Sequence, residues 1–469
     1  MPKKINVLLV VPPTYEDIYG NSFIRAGVNP AYMVLSYPVI SGLLRNESYF
    51  VKVADLNATV SPRANFEAIL KESPWDIIGF NVTTPIFKKV EEYSRIAKNI
   101  LPKSTIVAGG PHVSVAAEEV LRSSCVDIAV IGEGDFSFKM VVDGEHLNSI
   151  PGIAYLNNGV FNANPSSNID NLDDLPMPYM EVLDSKSYVH PRLVSRRNPV
   201  ASMESSRGCF GRCIFCNKSV FGPKIRFKSE KRVLEEMKYI LSLGYKEIHL
   251  VDDLFTANLP RAKAICESLI RSELDLSWMP RGGIRVDTVD QELFYLLKRS
   301  GCWRVAFGIE SGNQAILDKC NKKITLAQIK NAVSMARKAG LETEGYFMLG
   351  LPGETEDTLK ETLKFSQSLY LDYAKFAITV PLPGTELFEE WDRMKLIKTK
   401  DWSKYTFSSK PSSLYEHPTV PWKVLDDFYS KSHRNFYFNF SYIMRRLPKS
   451  ILTGLIFEDI KTFLKINLS

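Results

Sequence analysis

From the start of the chain to about Asp135, short apolar runs rich in Val and Ile alternate with longer stretches of helical character, and this alternation restricts the folds open to the chain. The runs are INVLLVV, FVKVADL, DIIGFNV, TIVAGG and VDIAVIG. Strand-length runs separated by helix-length segments predict parallel strands joined by crossover helices. Residues 1–143 are therefore expected to form a doubly wound α/β sheet. Ligands of such sheets sit beyond the carboxyl ends of the strands. Those ends carry Pro12 and Pro13, Asp55, Thr83 and Thr84, Gly109-Gly110-Pro111-His112 and Gly132-Glu133-Gly134. Glycine there lets backbone approach a large ligand closely.

The periodicity weakens over residues 144–198, where ANPSSNIDNLDDLPMPYMEVLD is rich in Pro, Asn, Asp and Ser. A linker or bridging segment is expected there. A second series occupies residues 199–400 and runs through ASMESSRGCF, KEIHLVDDLF, LSWMPRGGIRVD, WRVAFGIES, LETEGYFMLGLPGET and AKFAITVPLPGTEL. Six strand–helix units predict a partial barrel, its working face again at the carboxyl ends of the strands. Residues 401–469 turn aromatic and basic, and their helices read as amphipathic. Two readings are open for them: a cap over the barrel and substrate channel, or a membrane-surface helix turning Arg445, Arg446, Lys449, Lys461 and Lys465 to lipid headgroups.

With 45% hydrophobic and 24% charged residues over 469 positions, the composition is that of a globular chain of two or three domains. The net charge of +6 is spread without a block of like charges. Such a distribution does not indicate a nucleic-acid arm. No apolar stretch reaches the roughly 18 residues that a bilayer span needs. MPKKINVLLVVPP reads as a first strand, not a signal peptide, because its apolar run ends at Pro12-Pro13 without a small-residue cleavage site. A cytoplasmic location is expected, with membrane association through the tail as the alternative.

Four of the seven cysteines, Cys125, Cys266, Cys302 and Cys320, stand singly in apolar or helical contexts and read as buried reduced thiols. Cys209, Cys213 and Cys216 instead fall within eight positions, in SSRGCFGRCIFC. Thiolates spaced C-x3-C-x2-C on one loop can converge on a single metal centre. Zinc usually closes four ligands, and neither His nor Cys follows at finger-like spacing. An iron–sulfur cluster on three cysteines keeps one iron open to a substrate or cofactor. Three incidental loop cysteines are the alternative.

CFGRCIFC, following a strand at the start of a barrel, with an aromatic residue just before its third cysteine, resembles the signature of the radical S-adenosylmethionine (radical SAM) superfamily. The resemblance implies a 4Fe-4S cluster on Cys209, Cys213 and Cys216, with Phe215 beside the cofactor. It implies SAM chelating the open iron and reductive cleavage to methionine and a 5′-deoxyadenosyl radical. HLVDDLFTAN matches the second-strand region near the SAM amino group, with Asp252 and Asp253 as candidates; by themselves they also read as a helix N-cap and a solvated neighbour. GIESGNQAILDKCNKKIT matches the fourth-strand motif. There the resemblance implies Glu310 and Ser311 toward the SAM ribose or amino group and Lys322 or Lys323 toward its carboxylate. A carboxylate directly after an apolar strand needs such a partner. FMLGLPGET and VPLPGTEL resemble the fifth- and sixth-strand segments. Arg281 and Arg285, in MPRGGIRVD, stay open between SAM, substrate and pairing at the barrel rim.

Through VVPP, GGPHVSVAAEEVL and VIGEGD, the first domain resembles the Rossmann-like cobalamin-binding domain of cobalamin-dependent radical SAM enzymes. The resemblance covers most of residues 1–400. It implies cobalamin near Pro13, Thr83, Thr84, Gly109, Gly110, His112, Gly132, Glu133 and Gly134. Classical cobalamin domains carry D-x-H-x-x-G, whereas DLNATV offers Asp55 and Asn57 but no His. Binding without a protein histidine at cobalt is therefore expected, with His112 a turn residue near the corrin or, alternatively, a ligand. A degenerate fold kept for scaffolding is the other reading of the domain. Together the resemblances imply methylation of an unactivated carbon in a small-molecule or lipid-like substrate, with flavodoxin or ferredoxin as reductant and no nucleic-acid partner. Cyclisation, rearrangement or oxidation with the same cofactors is the enzymatic alternative, as in anaerobic porphyrin-ester cyclase relatives. A noncatalytic cluster-containing sensor is the alternative of another class.

Overall fold

The computed structural model describes residues 4–13, 33–59, 61–406, 410–452 and 454–457. All five strands expected in the first domain are present: β1 (Ile5–Val11), β2 (Tyr49–Asp55), β3 (Ile77–Asn81), β4 (Thr105–Gly109) and β5 (Ile128–Val130). They pair in parallel in the order β2-β1-β3-β4-β5. Val7, Leu8, Leu9 and Val10 of central β1 are all buried, as a parallel strand covered on both faces requires. The strand order reverses between β1 and β3, and a crevice opens at the carboxyl ends of such a switch point.

The segment after this domain, expected to be a linker or bridging segment, contains a hairpin. β6 (Ile153–Asn157) and β7 (Val160–Ala163) form an antiparallel hairpin that extends the sheet beyond β5 to seven strands. Its two-residue turn is Asn158-Gly159, both at positive φ (49° and 79°). Asn-Gly is the pair that such a turn favours, because both residues tolerate the left-handed region.

Six parallel strands build the second domain: β8 (Val200–Met203), β11 (Glu247–Leu250), β12 (Ser277–Pro280), β13 (Arg304–Glu310), β14 (Glu342–Leu349) and β15 (Tyr373–Ile378). They form two three-stranded sheets joined through the parallel bridges Trp278–Cys302 and Ile284–Phe307, giving the partial (β/α)6 barrel. Two short strands, β9 (Ser206–Arg207) and β10 (Arg226–Phe227), pair antiparallel and bracket the cysteine loop.

The tail packs against the barrel. Helix Trp422–Tyr437 covers the outer side of β15: the Tyr437 hydroxyl donates to Ala374 O at 3.0 Å, and Phe436 meets Phe376 with ring centroids 6.4 Å apart. Of the cations that the membrane-surface reading would turn to lipid, Arg445, Arg446 and Lys449 are turned inward instead. In helix Phe440–Leu452, Arg446 is buried against Asp372 and the Tyr373 hydroxyl, Lys449 Nζ lies 2.6 Å from Asp372 Oδ1, and Arg445 donates to Leu371 O at 3.1 Å. Asp372 at the head of β15 is the charge they satisfy. Lys461 and Lys465 lie outside the described residues. No helix among the described residues is long and apolar enough to cross a membrane. Upstream, Trp402 Nε1 donates to Glu119 Oε1 at 2.8 Å, strapping the tail to the first domain.

Candidate functional site

The loop between β9 and β10 holds the three cysteines. Cys209 and Cys213 are half-buried and Cys216 is exposed. A Cβ at Gly211 would stand 3.4 Å from Cys209 Sγ and 3.9 Å from Cys213 Sγ, so both thiols turn to the same side of the loop. Arg285 Nη1 lies 3.3 Å from that same point. Its guanidinium is fixed by a bidentate pair with Asp287, at 2.9 and 2.8 Å, and by a bond to Lys322 O at 3.0 Å. Cations beside thiols favour the thiolates that a metal needs.

No three ligating side chains among the described residues converge on a single ion. Three cysteines on one loop are one ligand short of a closed zinc site and fit a 4Fe-4S cluster, in which each would take a different iron. Cys320 lies behind the loop, where its carbonyl accepts from Ile214 N at 3.2 Å. Burial pushes its thiol up to about 12, which leaves it a packing residue. Cys266 and Cys302 are likewise buried, whereas Cys125 is half-buried.

Of the residues expected around SAM, the structure separates those that face the site from those that brace it. Glu310 ends β13 at a positive φ of 66°, at an irregularity where the register to β14 shifts. Its Oε1 accepts from Lys322 Nζ at 2.8 Å, and both side chains are nearly buried. A Cβ on Gly308 would lie 2.7 Å from Glu310 Oε1 and 2.9 Å from Lys322 Nζ, so the pair occupies the room that this glycine leaves. Lys322 also lies 6.0 Å from the Phe215 ring centre. Lys323 is exposed, and Lys322 is the lysine that pairs with Glu310. Ser311 braces the turn: it is fully buried, with Oγ 3.1 Å from Thr362 Oγ1.

Asp252 is neither a helix cap nor open to a ligand. It accepts from Ser205 N, Ser205 Oγ and Ser206 Oγ, each at 2.6 Å, and so ties β11 to the root of the cysteine loop. Burial raises its pKa, and these donors pull it back. Asp253 accepts from Gly208 N at 3.0 Å and lines the crevice.

That crevice, about 660 Å³, is continuous between the two domains. Thr83, Gly109 to Pro111 and Gly132 to Asp135 line it from the first domain, and Ser202, Glu204, Arg207, Asp253 and Arg281 from the barrel. Its inner wall is apolar, with Leu9, Ile40, Val107 and Phe138. Gly110 is held at φ +106°, where a Cβ would stand 2.9 Å from both N and O of Val82. Only glycine suits that turn. A backbone floor at the strand ends and an apolar wall fit a large, partly apolar cofactor such as cobalamin.

Three of the residues expected near the corrin do not line this crevice. Pro13 sits half-buried past the end of β1, and Thr84 Oγ1 faces His112 Nδ1 at 3.3 Å. His112 is fully buried between Phe87 and Trp402, at 4.8 and 5.5 Å between ring centres. The aromatic packing turns it away from the crevice. Asp55 and Asn57 are tied locally, with Asn57 N donating to Asp55 Oδ1 at 3.0 Å and the Tyr188 hydroxyl to Asp55 Oδ2 at 3.3 Å. Glu133 lines the crevice, but its carboxylate is engaged by Arg207 and Arg226. Glu204, Arg207, Asp135 and Arg226 were absent from the sequence-based site. A pair of opposite charges, Glu204 and Arg207, spaced three apart just before Cys209, was the available signal.

Residues 203–366 match the profile of the Radical SAM superfamily, and residues 25–142 that of the B12 binding domain. The chain is 36% identical to an uncharacterized methyltransferase of Pyrococcus horikoshii, over 86% of this chain and 87% of that protein. It is 28% identical to the anaerobic magnesium-protoporphyrin IX monomethyl ester cyclase of Rubrivivax gelatinosus, over 94% of this chain and 79% of that one. Its fold resembles that of TsrM, a radical S-adenosylmethionine methyltransferase from Kitasatospora setae solved with cobalamin and a [4Fe-4S] cluster bound. The TM-score is 0.68 at 18% identity, covering 83% of this chain and 78% of that one.

Proposed function

The chain belongs to the radical SAM superfamily, in the branch with a B12-binding domain ahead of the barrel, and from that premise we propose that it methylates an unactivated carbon of a small-molecule or lipid-like substrate. It is an enzyme that works with a 4Fe-4S cluster, SAM and cobalamin. The observation that carries the reading is the crevice between the domains, in which the glycine turns of the first domain meet the barrel rim at Asp253 and Arg281.

When bound, the cluster and SAM supply a radical that abstracts hydrogen, and the corrin supplies the methyl group. The chain's own residues have to orient these groups and keep water out. Cys209, Cys213 and Cys216 would hold the cluster, and Arg285, fixed by Asp287, keeps positive charge beside them. The Glu310–Lys322 pair offers a carboxylate and an ammonium, complementary to the amino and carboxylate ends of SAM. Thr83, Gly109, Gly110, Gly132 and Gly134 would let the corrin lie against backbone. A flavodoxin or ferredoxin would deliver the low-potential electron.

The methyltransferase name of the Pyrococcus relative supports methyl transfer, and the likeness to the cyclase keeps ring closure as the second reading. The test uses SAM deuterated at its methyl group, with reduced holoenzyme and fractionated cell extract. A metabolite that gains the labelled methyl group while 5′-deoxyadenosine forms supports the proposal. Deoxyadenosine with a substrate altered but not methylated favours cyclisation, rearrangement or oxidation. No deoxyadenosine would leave a cluster-bearing sensor.

A further inference from the structure

Both roots of the cysteine loop are fastened to one turn of the first domain. β9 ends on Arg207 and β10 begins on Arg226, and the two are cross-strand partners. Arg207 Nη1 lies 2.6 Å from Asp135 Oδ2 and 3.1 Å from Glu133 Oε2, and Arg207 Nη2 lies 2.6 Å from Glu204 Oε1. Arg226 pairs with the other oxygen of Glu133 and donates to the carbonyls of Ile169 and Phe221, both at 2.9 Å. The Phe221 ring lies under the Arg207 guanidinium at 5.0 Å. No member of this five-charge network is more than 9% exposed. Glu133, Asp135, Glu204 and Arg207 all border the crevice between the domains.

A buried network of this kind is a poor way to gain stability. Desolvating each ion costs several kcal/mol, and apolar side chains of similar volume often hold an interface as firmly. It differs from apolar packing in direction: a guanidinium fork meets carboxylates in one plane, at fixed distance, and resists sliding. The bonds join Arg207, two residues before Cys209, to the turn that follows Gly132. They therefore constrain one relation above others, that of the cysteine loop to the cofactor turn.

We infer that Arg207, with Glu133 and Asp135, is a positioning device that fixes the cluster loop against the cobalamin-binding turn and so sets the separation of the two cofactors. What is positioned rests on the two-cofactor reading above. The mechanical coupling of the two segments is a property of the chain alone.

The test compares full-length wild type with Arg207→Gln, Arg207→Lys and Asp135→Asn. Each is reconstituted anaerobically with iron, sulfide and hydroxocobalamin and measured for iron content, hydrogen exchange, and the distance between reduced cluster and cobalt(II) by pulsed electron paramagnetic resonance. In Arg207→Gln, iron content is expected to stay within about twofold of wild type. Amide exchange should rise about tenfold or more in both 131–142 and 204–227, as local opening free energies fall. The distance distribution should broaden, Asp135→Asn should reproduce the effect, and Arg207→Lys should restore part of it by keeping charge without the fork. Exchange that rises on one side only, or on neither, overturns the inference. Loss of iron with exchange rising throughout the chain also overturns it, making Arg207 an ordinary folding residue. A wild type that holds a cluster but no corrin defeats the two-cofactor reading, while the exchange comparison still decides the coupling.

Discussion

Lys322 and Lys323 are adjacent in sequence and opposite in circumstance. Lys322 is buried on Glu310, and Lys323 points to solvent from a residue at φ 55°. Removing one partner of a buried pair strands the other charge, at a cost of about 3 kcal/mol or more. Lys322→Met is therefore expected to lower stability by that order and to weaken SAM binding. Lys323→Met should change stability by no more than about 0.5 kcal/mol. Chemical denaturation, with SAM titration of the reconstituted protein, checks both. His112 makes a different prediction. Burial lowers its pKa from 6.5 to about 4. The unfolded chain takes up this proton near 6.5 and the folded chain only near 4, so its contribution is complete above pH 6.5 and is lost as pH falls toward 4. Over that window one proton corresponds to about 1.4 kcal/mol per pH unit. His112→Phe should flatten the pH dependence of stability by up to that slope and leave the spectrum of bound corrin unchanged. A changed corrin spectrum would instead make His112 a cobalt ligand.

At the scale of elements, central strands such as β1 and β3 were readable because a parallel strand buried on both faces writes itself as a near-continuous apolar run, and the others by their short Val- and Ile-rich or aromatic runs between helix-length segments. All five runs of the first series and all six of the second correspond to strands. The β6–β7 hairpin was not read, because Pro, Asn and Ser dominate its surroundings and mask the Asn158-Gly159 turn signal. The tail was read as amphipathic, but which face meets the barrel depends on Asp372, far away in sequence. A chain ending at Pro418 loses the cover over Phe376 that Phe436 and its helix provide. It is expected to melt lower than the full chain or to aggregate, and an unchanged melting curve would mean the helix is dispensable to the barrel. Gly110→Ala forces a side chain into a left-handed position against Val82. It should cost on the order of 2 kcal/mol and weaken corrin binding, both measurable on one preparation.

Over the whole molecule, the parts of the site written locally were legible, and the parts made by docking were not. The C-x3-C-x2-C spacing and the strand-end glycines lie within single loops. The choice of Asp253 over Asp252 is made inside the barrel, by Ser205, Ser206 and Gly208, and the clasp of Arg207 on Glu133 and Asp135 depends on how two domains meet across more than 70 positions. The central claim is that one chain holds a cluster and SAM on its barrel and a corrin in the crevice between its two domains. The most direct measurement is anaerobic reconstitution with iron, sulfide and hydroxocobalamin, then reduction in the presence of SAM, following bound corrin by its spectrum and 5′-deoxyadenosine by mass. Corrin retained on the chain together with deoxyadenosine formation is the predicted result. Deoxyadenosine without bound corrin would keep the barrel chemistry and contradict the two-cofactor site.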